Sequence, residues 1–410
     1  MTYQDDATCH GPRTDWTWHR LSTWHPFCGK HSILYAMSIM AWIGLTSIMR
    51  AENTSRDATK ATWQLVDNSA SSSQVIDMNE HGQFVGIRDV PLAGIGLQSE
   101  PFVFVDGQAR AVPTPAGFTN LMPEAISNNR CVVGYASRVI SHPEGSLRGF
   151  VYRVTEDEIV VLPPLDGHHG CHAVDVNDEG TMVVGYSTGR DPATMLPCVW
   201  HWKQGEWRPK ALTTLHQFNP FLLTSRVVIS GDGQRIAACI TVAENPESAN
   251  PYISHLYEWA WTEDGQWHMQ PRAEFGVRLG AINNHAVIVG SCQLDRQRRA
   301  FVAEPDRPLR ILDLLEGDVK AEAMDVNNHG QVVGYSDDPP GPEGGPQAFT
   351  WSDGHLAPVE FPRSTAFSWA AAVNDSGQIA GFVERTVEDS ETDKIVSFVL
   401  SLLPANAVAP

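Results

Sequence analysis

The sequence predicts an all-β fold: a seven-bladed β-propeller of four-stranded antiparallel blades, preceded by one hydrophobic helix. Three observations predict it. A single unit recurs seven times, its period suits one four-stranded blade, and the last unit ends a strand short while a spare strand stands before the first.

The unit begins with a small and an apolar residue, then Asn, polar residues and Gly, then an apolar pair closed by Gly. Its copies are IDMNEHGQFVG (76–86), AISNNRCVVG (125–134), VDVNDEGTMVVG (174–185), VISGDGQRIAA (228–238), AINNHAVIVG (281–290), MDVNNHGQVVG (324–334) and AVNDSGQIAG (372–381). The repeats start near 74, 123, 172, 226, 279, 322 and 370. The closing residues are Gly86, Gly134, Gly185, Ala238, Gly290, Gly334 and Gly381. Their spacing of 44 to 53 residues fits a blade and not a helical solenoid.

Each copy supplies strands a and b. Asn-Asn-x-Gly and Asn-Asp-x-Gly offer residues that tolerate positive φ, which a tight a–b hairpin needs. The b strand is apolar on both faces, as expected for a sheet sandwiched between neighbours. The a strands carry Ala or Gly, including Ala125, Ala173, Gly280 and Ala371, because the innermost strands crowd the axis. Strand c is the apolar-aromatic run: PFVFVDG (101–107), GFVYRV (149–154), PCVWHW (197–202), HLYEWAW (255–261), AFVAE (300–304), AFTWSDG (348–354) and SFVLSLL (397–403). Asp-Gly pairs at 106–107, 264–265 and 353–354 turn it into strand d. No helical period interrupts these strands, which excludes parallel crossover folds. The fourth unit, with SGDGQRIA (230–237), departs most from the pattern.

Closure of the ring is expected at the termini. The seventh unit stops after strand c, whereas TWQLVD (62–67) precedes the first unit and resembles a d strand. Placed beside 397–403 it completes the last blade and removes an open sheet edge. The propeller is thus expected over 61–404.

Residues 1–30 form a leader of unknown role holding Cys9 and Cys28. Ser32–Met49 is uncharged and apolar, between Lys30 and Arg50. The segment 31–50 reads as a signal peptide or a single-pass membrane anchor, with 51–60 as linker. Either role places the propeller outside the cytoplasm.

The formal net charge of −19 repels phosphate backbones, so no nucleic-acid partner is expected. Seven scattered cysteines without a C-x-x-C pair make neither a disulfide framework nor a zinc site. Cys131, Cys171, Cys198, Cys239 and Cys292 read as small buried hydrophobes. No cofactor and no metal are expected, and the chain is expected to be a monomer.

The string AMDVNNHGQVVGYS (323–336) with QAFTW (347–351), and AVDVNDEGTMVVGYS (173–187), resemble the HAF repeat of bacterial extracellular proteins. The resemblance covers about residues 74–403. It implies secretion or surface exposure and brings no catalytic motif.

Ligand-binding candidates are few. DGHHGCHAVD (166–175) gathers His168, His169, His172 and Asp175 in the approach to the third blade, where metal binding or acid–base work competes with a merely polar loop. Asp77, Asp175 and Asp325 precede the repeat Asn by two residues. They would line the channel mouth or cap backbone N–H groups of the turn. Aromatic residues on c strands (Tyr152, Trp200, Trp202, Trp259, Trp261 and Trp351) read as inter-blade packing ahead of carbohydrate platforms. Any ligand surface is expected on the face of the b–c and d–a loops. The function expected from these features is a non-catalytic extracytoplasmic scaffold with an unidentified protein or glycan partner. A propeller enzyme of lyase or glycosidase type, and a lectin-like glycan binder, are the alternatives. The scaffold predicts a mouth without charged groups converging from several blades; the enzyme requires them.

Overall fold

The structure is a computed structural model that describes residues 61–65, 72–92, 96–138, 147–189, 194–212, 222–243, 252–273, 277–295, 297–337, 345–361, 367–385 and 394–402. These form seven four-stranded antiparallel sheets and no helix, the seven-bladed propeller that the repeats predict. No helix among them is long and apolar enough to cross a membrane, and the run 32–49 lies outside the described residues.

Each sheet follows the repeat. Blade 3 is typical: a is Gly170–Val176, b is Met182–Thr188, c is Met195–Lys203 and d is Glu206–Ala211. The divergent fourth unit also completes a blade, with Leu222–Ile229, Arg235–Ala243, Tyr252–Trp261 and Trp267–Ala273. In the seventh blade, Ser368–Val373, Gln378–Arg385 and Lys394–Leu402 are joined by Ala61–Leu65, antiparallel to the last of these with Trp63 opposite Leu400.

The core is divided among the blade interfaces. Val85 and Val103 of blade 1 pack on Val132 and Phe150 of blade 2. The same layer recurs between every neighbouring pair, ending with Ala372, Ala380 and Val399 of blade 7 against Val75, Phe84 and Phe102 of blade 1. No blade could bury both its faces alone, so apolar burial is what holds the blades around one axis. Tyr152, Trp200 and Trp259 of the c strands are buried in these layers, while Trp202, Trp261 and Trp351 are half-buried. Cys131, Cys171, Cys198, Cys239 and Cys292 are free thiols inside the core.

A feature absent from the sequence reading shapes the inner wall. Every a strand has a β-bulge, as between Ala173 and Asp175 or Ala323 and Asp325. The bulge drives a carbonyl of strand a against the closing residue of strand b. A Cβ on Gly185 would collide with the carbonyl oxygen of His172, and Gly86, Gly134, Gly290, Gly334 and Gly381 stand in the same position against their own a strands. Only glycine fits there. Blade 4 shows why Ala238 is tolerated. Its bulge lies between Thr224 and Arg226, so Ala238 pairs regularly with Val227.

The a–b turns take the positive φ that their motif was expected to supply. Positive φ is taken by Gly82, Gly180, Gly233, Gly330 and Gly377, and by Arg130 and Ala286 in the two turns without that glycine, never by the repeat Asn. The Asn is instead a side-chain clamp. Asn327 Oδ1 accepts from the N–H groups of His329 and Gln331, and its Nδ2 donates to the carbonyl of Asn374 in the next blade. Asn374 Nδ2 in turn donates to the carbonyl of Asn79, so the belt of turns runs on from the last blade to the first.

Candidate functional site

The axial channel is built from the a strands, and one layer of it holds three carboxylates. The bulge turns the side chains of Asp77, Asp175 and Asp325 sideways, each across a blade junction. Asp175 Oδ1 accepts from the N–H of Val176 and Oδ2 from that of Ile229 in blade 4. Asp325 does the same with Val326 and with Val373 of blade 7. Asp77 Oδ2 accepts from Ile126 of blade 2. They therefore cap strand N–H groups freed by the bulges, not those of the turns as the sequence suggested. Three blades carry the strap; the neighbours that receive it have Ala125, Val228 and Ala372 at the equivalent position, and blade 5 has Ala281 there.

Their protonation is governed by the surroundings. Each carboxyl keeps some surface along the channel, yet the protein around it is dense. Burial raises Asp175 to about 7 and Asp325 to about 6, against the bonds from strand N–H groups, which favour the anion. Burial also pushes Asp77 up, and the charges of Asp325 and Asp175 push it further. Three carboxyls on one axis cannot all ionise cheaply. Among the described residues, no group of three His, Cys, Asp or Glu side chains is arranged to hold a metal ion.

Above this layer the three histidines part company. His172 belongs to strand a of blade 3 and faces the channel. Its Nδ1 is 2.7 Å from the Tyr186 hydroxyl and its Nε2 is 3.3 Å from Glu124 Oε1. The Tyr135 ring lies 4.4 Å from the imidazole, centroid to centroid. Arg226 Nη1 reaches to 4.0 Å from Glu124 Oε2. His168 lies elsewhere, in a groove of about 470 Å³ beside Leu196, Pro209 and Lys210. His169 is tied by its backbone, with its N–H on the Thr188 carbonyl and its own carbonyl taking a bond from Arg148. The DGHHGCHAVD string is thus not one site. Cys171 points into the core, where burial raises its thiol to about 11.

Glu124, Tyr135, Tyr186 and Arg226 escaped the sequence reading. Glu124 is the extra residue of the blade 2 bulge, between Pro123 and Ala125, which turns it into the mouth. Burial and the charge of Glu124 keep the Tyr186 phenol protonated far above neutrality. The one legible signal was Tyr after the closing glycine, in VVGY and CVVGY. A carboxylate, an imidazole and a guanidinium from three successive blades therefore meet on one patch. They can hold a polar ligand by hydrogen bonds of both senses and can exchange a proton with it.

No protein-family model matches the chain, and no curated protein matches its sequence. Solved structures do share the fold. One is the β-propeller domain of the Trilobed protease from Pyrococcus furiosus, with TM-score 0.52 and 11% identity, covering 82% of this chain and 97% of that one. Another comes from two prolyl endopeptidases, with TM-score 0.53 and 9% identity over 80% of this chain and 47% of that one. Prolyl oligopeptidase B from Galerina marginata gives TM-score 0.51 and 11% identity over 80% and 51%. The chain spans about half the length of the prolyl endopeptidase and oligopeptidase chains it matches. The expected non-catalytic scaffold is corrected by these findings. The fold is one that propeller domains of peptidases also have, and the mouth brings together the charged groups that a scaffold was expected to lack.

Proposed function

We propose that this chain is the peptide-handling propeller of a peptidase system, with bond cleavage supplied by a second protein or domain. The convergence of Glu124, His172 and Arg226 from blades 2, 3 and 4 carries this reading. An unfolded peptide offers N–H donors, carbonyl acceptors and charged ends, and this patch has partners for each. The fold shared with peptidase propellers supports it. The test is fluorescence anisotropy of the full chain with labelled unstructured peptides of about ten residues. Affinity in the micromolar range is expected. The double variant Glu124→Gln/Arg226→Gln should bind at least about tenfold more weakly, a loss of about 1.4 kcal/mol. Unchanged affinity in that variant, or no binding by the native chain, would sink the reading.

We further infer that the ring is closed by Ala61–Leu65, that the repeat is of HAF type, and that the chain is exported through 31–50. Pairing with Lys394–Leu402 supports the first, and the uncharged run at 32–49 supports the last. Removal of residues 1–65 should expose a sheet edge, giving concentration-dependent aggregation in light scattering. A chain lacking 31–50 should stay in the cytoplasmic fraction.

A further inference from the structure

Among the described residues, two glutamates are buried in the ring, and each is fully served. Glu258 of blade 4 accepts from Arg235 and Arg272 and, at 3.1 Å, from Gln270 Nε2. Glu322, on strand a of blade 6, accepts on Oε1 from Arg298 of strand c in blade 5, from Arg278 at 3.3 Å and from the Tyr335 hydroxyl at 2.6 Å. Glu124 in the mouth is treated differently. Its side chain is only 19% exposed, yet among the described residues it accepts one hydrogen bond, at 3.3 Å from His172 Nε2 onto Oε1. Arg226 Nη1 stands 4.0 Å from Oε2, beyond hydrogen-bond reach. A carboxylate has room for about four such bonds, so most of the capacity of Glu124 is open.

The neighbours of Glu124 do not close that gap. Tyr186 keeps its phenol proton, because burial and the charge of Glu124 oppose ionisation. It donates that proton to His172 Nδ1 at 2.7 Å, which leaves the imidazole proton on Nε2, already engaged with Oε1. Arg226 is shared, since its charge also favours the anions of Asp175 and Asp325 in the layer below. Oε2 is therefore an acceptor in the mouth with no donor among the described residues. The rings of Tyr135 and Tyr186 flank the His172 imidazole at 4.4 and 5.0 Å, and aromatic faces favour a cation beside them.

Resting on the peptide-handling reading, we propose that Glu124 binds an ammonium group of the peptide, whether its free amino terminus or a lysine side chain. An ammonium brings three N–H donors and a full positive charge, which is what Oε2 lacks. A main-chain amide brings one donor and no charge. The mouth therefore prefers a peptide that carries an ammonium over a neutral one of the same length, and Arg226 is left to the carbonyl oxygens beside it.

The probes are three versions of Ala-Ala-Pro-Ala-Leu-Gly-Cys carboxamide, each with the same fluorophore on the cysteine sulfur, titrated with the full chain by anisotropy. One has a free amino terminus, one is acetylated, and one is acetylated with lysine in place of the second alanine. At least one ammonium peptide should bind about tenfold or more tightly than the neutral acetylated one, and which of the two does so identifies the source of the ammonium. In Glu124→Gln the preference should vanish, with an unchanged melting temperature as the control for folding. In Asp166→Asn, which removes an exposed carboxyl of the d–a connection on the same face, the preference should persist. Equal affinity of all three peptides for the native chain overturns the proposal while the peptide-handling reading stands. A preference that survives in Glu124→Gln overturns it too. So does one that falls as far in Asp166→Asn, since the net charge of −19 and not the site would then attract the cation. Failure of every peptide to bind overturns both readings together. Should Glu124→Gln not fold, the native chain decides by competition: excess ethylammonium should displace the ammonium peptide and spare the neutral one, and equal displacement of both overturns the proposal.

Discussion

The two ends of the ring obey opposite rules. At the turn face the blades nearly repeat each other: Asn79, Asn283, Asn327 and Asn374 each clamp their own turn and donate to the next blade's carbonyl. At the mouth, the position three residues before the inner Asp is different in every blade: Gln74, Met122, His172, Ser225, Arg278, Glu322 and Trp369. Backbone groups at a turn pose the same problem seven times, and it has one good solution. A side chain facing the channel answers to no repeated constraint, so it is free to serve a ligand.

The sharpest way to break this comparison is at the bulges, which both ends depend on. Gly185→Val would place side-chain atoms on the His172 carbonyl. It should cost at least about 4 kcal/mol, enough to prevent folding at moderate temperature. Ala238→Gly, at the same repeat position beside a displaced bulge, should cost only about 0.5–1 kcal/mol. Urea unfolding followed by Trp fluorescence measures both. A Gly185→Val chain as stable as the native one would show that the bulge does not dictate the glycine.

A smaller effect tests the belt. Asn327→Ala removes two acceptor contacts and one inter-blade donor, leaving the His329 and Gln331 N–H groups and the Asn374 carbonyl short of partners. A loss of about 2–3 kcal/mol is expected in the same assay. An exposed turn residue such as Asn129, whose Nδ2 makes one long bond to Glu179, should lose less than 1 kcal/mol as Ala.

The difference between the two ends also governs what could be read from the sequence. The repeat announces whatever recurs, so blade number, strand order and the closing glycines were legible. The role of the Asn was not, because hairpin statistics pointed to its backbone while its side chain does the work. Glu124 and Arg298 were invisible because each reaches the mouth through three-dimensional circumstance. A bulge turns one inward, and the other stretches from strand c of one blade to strand a of the next. The histidine string misled for the opposite reason: neighbours in sequence separate once strand a begins at Gly170.

The mildest prediction concerns the layer between the two ends, where Asp175 and Asp325 belong to the repeat and yet face the channel. Their folded pKa values, about 7 and about 6, lie above the ordinary 3.8. The folded chain therefore keeps protons that the unfolded chain has already released. Stability from these groups is full near pH 4, declines as pH rises to about 7, and is flat beyond. A rise from 3.8 to about 7 would be worth about 4 kcal/mol in a dry site. Solvent along the channel should reduce this to about 1–2 kcal/mol per group. His201, lowered to about 4 by burial, works in the other sense below pH 6.5, and Glu80, raised to about 7, works in the same sense. The informative quantity is thus a difference. Between pH 5 and pH 8 the native chain should lose more stability than Asp175→Asn/Asp325→Asn, because the amides cannot ionise while their oxygens still accept the strand N–H bonds. Identical pH profiles for the two chains would mean that the carboxyls sit in the folded ring as they do in water, and that the bulges do not force them together on the axis.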